Sequence, residues 1–180
     1  MKRLLLLRHA KSGQDGWAER DFDRRLNAKG RRAARTIGRY LREQAIGFDA
    51  VLASPAVRVT ETLDEVASGY GAPLSPQWER RVYLASAGDL LDLVRETPSE
   101  ADTLLIVGHN PGLEQLTLLL VPERARGEAR DQVEEKYPTA SLAEITLDTP
   151  EWAGVQQGHG RLVRFIRPRD LDPALGPDRD

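Results

Sequence analysis

The strongest constraint on the fold is a run of four leucines, Leu4–Leu7, that stops abruptly at Arg8 and His9. A short continuous apolar run bounded by polar residues is typical of a strand that is buried on both faces. We therefore expect Arg3–Leu7 to form a central strand of a sheet that is covered on both sides. Arg8 and His9 then lie at the carboxyl end of this strand.

Strand-like runs alternate with helical patterns along the first two thirds of the chain. Further strands are predicted over Phe48–Ala53, near Trp78–Tyr83 and over Thr103–Gly108. Helices are predicted after an N-cap at Asn27, from Pro55 to Gly69 or Gly71, over Ala87–Arg95 and over Leu113–Leu120. This alternation indicates a parallel sheet with helices on both faces.

The pattern changes after residue 120. Residues 121–138 are charged and weakly periodic, which indicates a surface excursion, and the runs SLAEITL and RLVRFI then predict antiparallel edge strands. The proline-rich, charged end, residues 169–180, is predicted to be extended or disordered. Together these features predict an α/β protein, a three-layer sandwich with a mostly parallel central sheet, in a single domain of residues 1–168.

Composition excludes several functions. The 26 basic and 28 acidic residues give a net charge of -2, so no overall field attracts nucleic acid or an anionic membrane. The absence of cysteine excludes disulfides, thiolate metal sites and a cysteine nucleophile. His159 lies in a turn-rich stretch without a partner at ligand spacing, so no metal or cofactor is predicted. With no apolar segment of ~20 residues, we expect a cytoplasmic protein.

Three predicted strands end in polar residues. The first ends in Arg8 and His9, the second is followed by the stretch from Ser54 to Arg58, and the strand TLLIVG is followed by His109 and Asn110. Ligands of open α/β sheets bind outside the carboxyl ends of the strands. We therefore expect the three stretches to open onto one common site.

The residue types at this rim point to phosphoryl chemistry. Guanidinium groups present planar forks of N–H donors that match phosphate oxygens. Nearby cations lower the pKa of a histidine from its reference of ~6.5, so Arg8 and Arg58 favour a neutral, nucleophilic His9. The phosphoryl group would be held on His9 before water removes it, while Arg8, Arg58 and His109 offset the charge of the transition state.

Other polar residues of these stretches allow two interpretations. Ser54 is interpreted as a helix cap. Asn110 either shapes the turn before Pro111 or contacts substrate, and Ser12 and Lys11 lie close enough to His9 in the sequence to reach a phosphate. Ser12 and Asn110 are therefore candidate substrate-binding residues beside Arg8, Arg58 and His109.

The segments LLLLRHAKS, SPAVRVTETL and LLIVGHNPG, in this order, resemble the three sequence blocks of the histidine phosphatase superfamily. The similarity is to the branch of short single-domain members related to the SixA phosphohistidine phosphatases. It runs from about Lys2 to Leu120, and KYPTASLAEITL also resembles this branch. The resemblance implies a phosphoglycerate mutase-like fold, no metal and a phosphohistidine intermediate.

The resemblance also assigns roles by position. His9 matches the family's nucleophile, Arg8 and Arg58 match its phosphate-binding arginines, and His109 matches its second histidine, which holds a phosphate oxygen. Ala10 stands where the family usually has glycine.

A second departure concerns the general acid and hence the substrate. Phosphomonoesterases and mutases of the superfamily usually carry a glutamate at the position that Tyr83 occupies. A tyrosine, with a reference pKa of ~10, is a poor acid at neutral pH. Glu79, Asp21 and Asp23 remain alternative donors. An imidazole that leaves a phosphohistidine can take its proton from solvent, which favours a phosphohistidine on a partner protein as the substrate.

Two other functions remain open. The first is a phosphomonoesterase that acts on a small phosphorylated metabolite, with Glu79 or a loop aspartate as the acid. The second is a catalytically silent phosphate-binding regulatory module. A mutase is disfavoured because the chain lacks the insertions that longer mutases place around the pocket.

Overall fold

The computed structural model describes residues 1–13, 20–125 and 127–177. The strands are β1 (Lys2–Arg8), β2 (Ala50–Ala53), β3 (Gln77–Trp78), β4 (Thr103–Gly108), β5 (Leu142–Leu147) and β6 (Gly160–Ile166). The α-helices are α1 (Ala28–Glu43), α2 (Val57–Tyr70), α3 (Ala87–Arg95), α4 (Gly112–Leu120), α5 (Glu128–Glu135) and α6 (Pro168–Leu171).

All six strands form one sheet in the order β3-β2-β4-β1-β5-β6. The first four strands in this order run parallel, and β5 pairs antiparallel with both β1 and β6. Register places Arg8 of β1 beside Gly108 of β4, and Ala53 of β2 beside Val107. The carboxyl ends of β1, β2 and β4 therefore lie at the same level. Only β6 of the two C-terminal strands is at an edge, because β5 is held between β1 and β6.

Helices cover both faces of the sheet, and β1 shows why. Successive side chains of a strand point to opposite faces. Leu4 and Leu6 belong to a core cluster with residues of α3, α4 and α5, while Leu5 and Leu7 belong to a second cluster with residues of α1 and α2. All four leucines are fully buried. The predicted central strand and the predicted three-layer α/β sandwich are confirmed.

Helix boundaries follow local hydrogen bonds. The side chain of Asn27 accepts a hydrogen bond from Gly30 N at 2.8 Å, which confirms Asn27 as the N-cap of α1. Helix α2 begins at Val57 rather than at Pro55, because Ala56 is still extended. It ends at Gly71, whose φ of 81° lies in the left-handed region that glycine adopts without strain.

The strand predicted near Trp78–Tyr83 is mostly wrong. Only Gln77–Trp78 pairs with β2, and a 3-10 helix, Arg80–Val82, follows. The cause is local, since the Glu79 side chain accepts a hydrogen bond from the backbone N of Arg81 and caps this helix.

The described residues of the segment 121–138 are more ordered than its charge pattern predicts. It contains α5, and Val133 and Tyr137 are buried in the same cluster as α3 and α4. Charged residues cover the outer face of this helix and hide its short apolar stripe in the sequence.

The prediction of an extended or disordered end is wrong for residues 169–175. Here α6 is followed by a 3-10 helix, Pro173–Leu175. The Asp170 carboxylate accepts hydrogen bonds from the backbone and guanidinium of Arg167, and Leu175 is buried in the core cluster that contains α1. Residues 178–180 lie outside the described part of the chain. Each described helix is too short or too polar to serve as a membrane span.

Candidate active site

The three polar stretches meet at the carboxyl ends of the central strands, as the sequence predicts. The backbone N of His9 donates to the carbonyl of Gly108 at 3.0 Å, and that of Ser54 donates to Val107 at 3.1 Å. The ring centroids of His9 and His109 are 5.4 Å apart. Arg58, the second residue of α2, reaches the same place.

The tautomer of His9 is fixed by its own loop. Its Nδ1 lies 2.7 Å from the carbonyl oxygen of Ala10, which only accepts hydrogen bonds, so Nδ1 carries the ring proton. The lone pair of the neutral ring is therefore on Nε2. The pKa of His9 is lowered to about 3, mainly by burial and in smaller part by Arg8, Arg58 and His109, against the raising effect of the Ala10 carbonyl. His9 is thus a neutral imidazole at neutral pH.

His109 is held at both ring nitrogens. Nη2 of Arg58 lies 3.2 Å from Nδ1, and since a guanidinium only donates, Nδ1 is the acceptor. The proton is then on Nε2, which donates to Oγ of Ser54 at 2.8 Å. Burial and Arg58 lower the pKa of His109 to about 4. The interpretation of Ser54 as the helix cap is wrong, because Ala56 is the N-cap of α2 and the Ser54 hydroxyl faces His109.

Arg8 and Arg58 supply buried positive charge. Nη1 of Arg8 donates to the carbonyl of Tyr137 at 2.9 Å. Nη1 and Nη2 of Arg58 donate to the carbonyl and carboxylate of Asp21 at 2.6 and 3.0 Å. The Nε–H group of each arginine is buried and has no hydrogen-bond partner within the described part of the chain. Because an unpaired buried donor is costly, these two groups favour binding of an anion.

Sequence analysis did not identify two residues that position the site, Thr62 and Tyr137. The hydroxyl of Thr62 accepts from the backbone N of Ala10 at 2.9 Å and donates to the carbonyl of Arg58 at 2.6 Å. The carbonyl of Tyr137 accepts hydrogen bonds from the side chains of both Arg8 and Asn110. Arg58 and Thr62 are four residues apart in one helix, and this spacing could have indicated the hydrogen bond from the Thr62 hydroxyl to the Arg58 carbonyl. No sequence signal identifies the Tyr137 carbonyl as a hydrogen-bond acceptor.

The two histidines and the two arginines line a cavity of about 310 Å³, which we call the histidine cavity. It is lined by Arg8, His9, Lys11, Ser12, Arg24, Arg58, Leu84, His109, Asn110 and Thr139. The candidates Ser12 and Asn110 are therefore at the site, together with Arg24, which sequence reasoning missed. The Ser12 hydroxyl accepts from Arg24 at 2.7 Å, and the Asn110 amide donates to Tyr137 and accepts from the backbone of Glu114.

Two of the candidate acids, Glu79 and Asp23, lie outside the lining of the histidine cavity. The Glu79 carboxylate pairs with Arg81, which lowers its pKa. Asp23 pairs with Arg20 at the surface.

Tyr83 and Asp21 do not line the histidine cavity, but they contact His109 and Arg58, which do, and they contact each other. The Tyr83 ring meets His109 edge-on at 5.3 Å, and its hydroxyl donates to the Asp21 carboxylate at 2.6 Å. Burial and Asp21 raise the pKa of Tyr83. The same hydrogen bond, with help from Arg58, lowers the pKa of Asp21 to about 2. Asp21 is therefore ionised.

Within the described residues, no group of three or more metal-ligating side chains occurs.

The depressed histidine pKa values make stability depend on pH. Between the unfolded pKa of 6.5 and the folded value of about 3, the unfolded chain binds a proton at His9 that the folded chain does not. Stability is therefore lost as the pH falls below 6.5. We expect the contribution of His9 to lower the free energy of unfolding by ~2 kcal/mol between pH 7 and pH 5. Urea denaturation at both pH values measures this loss.

The variant His9→Gln isolates the effect of His9. It is expected to lose ~2 kcal/mol less stability than the wild type over the same pH interval. His159→Gln, which changes an exposed turn residue, is the matched control. An unchanged pH dependence in His9→Gln contradicts the neutral state of this ring.

The sheet order and the pairs of histidines and arginines at its carboxyl edge define a phosphoglycerate mutase-like α/β protein. The sequence profile of the histidine phosphatase superfamily (branch 1) matches residues 4–82. The chain is 35% identical over 165 residues to the uncharacterized protein Rv1276c of Mycobacterium tuberculosis, covering 91% of this chain and 100% of that protein. It is 28% identical to the phosphohistidine phosphatase SixA of Escherichia coli, covering 96% of this chain and 98% of that protein.

Solved structures agree with these sequence relationships. A protein assigned to SixA from Nakamurella multipartitia superimposes with a TM-score of 0.80 at 28% identity, over 93% of this chain and 96% of that chain. The chain belongs to the histidine phosphatase superfamily, in its SixA-like branch, and it is a phosphatase.

Proposed function

We propose that the chain is a metal-independent phosphohistidine phosphatase that removes a phosphoryl group from a histidine of a phosphorylated partner protein through an intermediate on His9. One observation carries this proposal. The histidine cavity combines a neutral imidazole and two guanidinium groups whose buried Nε–H groups are unpaired, with a lining in which no described residue carries a carboxylate.

The first step transfers the phosphoryl group to the enzyme. The Ala10 carbonyl retains the proton on Nδ1 of His9, which leaves Nε2 free to attack phosphorus. A bond forms between Nε2 and phosphorus while the bond from phosphorus to the substrate imidazole breaks. The leaving imidazole takes its proton from solvent. In the second step, water attacks the phosphoryl group on His9, and inorganic phosphate and neutral His9 are regenerated.

The cations around His9 stabilise the charge on the transferred group. Arg8 and Arg58 each offer a buried Nε–H and further donors to the equatorial oxygens of the transition state. A bound phosphoryl dianion raises the pKa of His109 again, since an opposite charge favours the protonated ring. When Nη2 of Arg58 turns from His109 to the phosphate, Nδ1 of His109 takes a proton from solvent and donates a hydrogen bond to a phosphate oxygen.

The protonation states at the site favour phosphohistidine over a phosphate ester. An alkoxide leaving group needs a general acid with a pKa near neutrality. Asp21 is ionised, with a pKa of about 2, and the pKa of Tyr83 is raised. Neither supplies a proton readily, so cleavage of an ester is slow whereas cleavage of a phosphoramidate bond proceeds.

The test compares leaving groups in EDTA. A peptide with a central phosphohistidine is expected to have a kcat/KM at least roughly 100-fold above that of the matched phosphoserine peptide and of sugar phosphates, because general acid catalysis contributes about 10²-fold or more. A preference for the sugar phosphates would assign the chain to the phosphomonoesterases. Phosphate binding without turnover of any substrate would assign it a regulatory role.

A further inference from the structure

A second, larger cavity of about 450 Å³ adjoins the histidine cavity, with which it shares Arg8, Lys11 and Thr139. We call it the basic cleft, because six of its lining residues are cationic: Arg8, Lys11, Lys29, Lys136, Arg167 and Arg169. None of the described residues that line it carries a carboxylate. The chain as a whole has a net charge of -2, so the basic cleft is a local concentration of positive charge.

Internal ion pairs balance only part of this charge. Arg167 pairs with Asp170, which lies just outside the lining, at 2.9 Å. Arg8 donates to the carbonyl of Tyr137, and within the described part of the chain neither Lys136 nor Arg169 forms an ion pair. Carbonyl oxygens satisfy a hydrogen bond but bring no negative charge. The basic cleft therefore retains an excess of positive charge toward an incoming ligand.

The size and lining of the basic cleft indicate an elongated ligand. Its cations come from separate elements: Arg8 ends β1, Lys29 lies in the first turn of α1, Lys136 follows α5 and Arg169 lies in α6. Apolar residues, among them Ala33 and Leu175, complete the lining. A lone phosphate needs donors that converge on one point. Six cations that line a cavity of about 450 Å³ with a partly apolar wall instead match an extended peptide whose carboxylates are spaced along its backbone.

We propose that the basic cleft binds an acidic segment of the phosphorylated partner protein next to its phosphohistidine. This inference rests on the proposed function, because the cleft opens from Arg8 at the histidine cavity. A chain whose phosphohistidine occupies the histidine cavity extends its neighbouring residues along Lys136 and Arg169. The cleft thereby selects partners by charge, in addition to the selection by phosphorylation.

The experiment uses two synthetic peptides of equal length with a central phosphohistidine, flanked by glutamate in one and by glutamine in the other. The wild type is expected to hydrolyse the glutamate peptide with a kcat/KM at least roughly tenfold higher, mainly through KM, which is a difference of about 1.4 kcal/mol. Salt screens charge interactions, so the preference is expected to shrink between about 20 and about 300 mM NaCl.

Charge reversal in the basic cleft tests whether the cleft causes the preference for the glutamate peptide. The double variant Lys136→Glu/Arg169→Glu is expected to lose the preference for the glutamate peptide, while its kcat/KM for an aryl phosphate stays within about twofold of the wild type. Arg161→Glu is the matched control, because Arg161 is exposed on β6 and pairs with Thr146, at the end of the sheet opposite to Arg8.

The outcomes separate this inference from the proposed function. If the wild type hydrolyses both peptides equally and the double variant does the same, the basic cleft is not a peptide site, although the proposed function stands. If the double variant alters only the inhibition by inorganic pyrophosphate, the cleft holds a small polyanion and the inference is overturned. If the wild type hydrolyses neither peptide but cleaves an aryl phosphate, the proposed function itself fails.

Discussion

His9→Ala is expected to lower kcat by roughly 10⁴-fold or more, because loss of a nucleophile removes the covalent route altogether. Nε2 of His9 is the atom that accepts phosphorus in the proposed mechanism, and the Ala10 carbonyl keeps its lone pair free. Turnover of an aryl phosphate and of a phosphohistidine peptide measures the loss. Rapid quenching with labelled substrate measures the intermediate, which is expected to be labile in acid and stable in alkali in the wild type and missing from the variant.

Two controls show that the loss comes from the nucleophile. His9→Ala keeps Arg8 and Arg58, so calorimetry is expected to detect binding of inorganic phosphate to the folded variant. His159→Ala changes an exposed histidine and is expected to keep wild-type turnover. Wild-type turnover in His9→Ala, or the same label on that variant, would refute the mechanism.

Arg58→Ala is expected to reduce kcat/KM by about 10³-fold, since it removes several buried donors and a charge that faces the transition state. Arg58 is 3% exposed and contacts both Asp21 and His109. Arg58→Lys keeps the charge but loses the planar fork and is expected to recover only part of the activity.

The pH profile separates this role from a structural one. Arg58 lowers the pKa of both His9 and His109, so its removal is expected to move the acidic limb of the kcat/KM profile to higher pH. Arg39→Ala, at an exposed position of α1, is expected to leave the profile unchanged. A reduced rate in Arg58→Ala with no movement of the acidic limb would mean that Arg58 does not control these histidines.

Much of the fold was predictable because β1 and β4 are buried on both faces. The four leucines of β1 occupy both core clusters, so only a central strand explains their pattern. Once these strands are placed, the carboxyl ends of β1 and β4 must meet, and the positions of Arg8, His9 and His109 follow from the register. Helix α6 and the 3-10 helix after it were missed because Leu171 and Leu175 pack against a distant part of the chain.

The charged groups of the candidate site could be predicted from the sequence, but the residues that hold them in place by hydrogen bonds could not. Arginine and histidine at strand ends are visible in the sequence, whereas the partner of a hydroxyl depends on the folded geometry. Ser54 lies next to a helix and is read locally as a cap, yet its hydroxyl accepts from His109, 55 positions away. Tyr137 acts through its carbonyl, and a carbonyl is the same for every residue type.

The backbone beneath the site belongs to the most deeply buried part of the sheet. The amide of Arg8 donates to the carbonyl of Ser141 on one side, and that of His9 donates to Gly108 on the other. A nucleophile built on such a support needs no loop ordering before it reacts, so little binding energy is spent on reorganisation. Opening of these amides to solvent would require separation of the central strands, so the backbone that carries His9 is as rigid as the core itself.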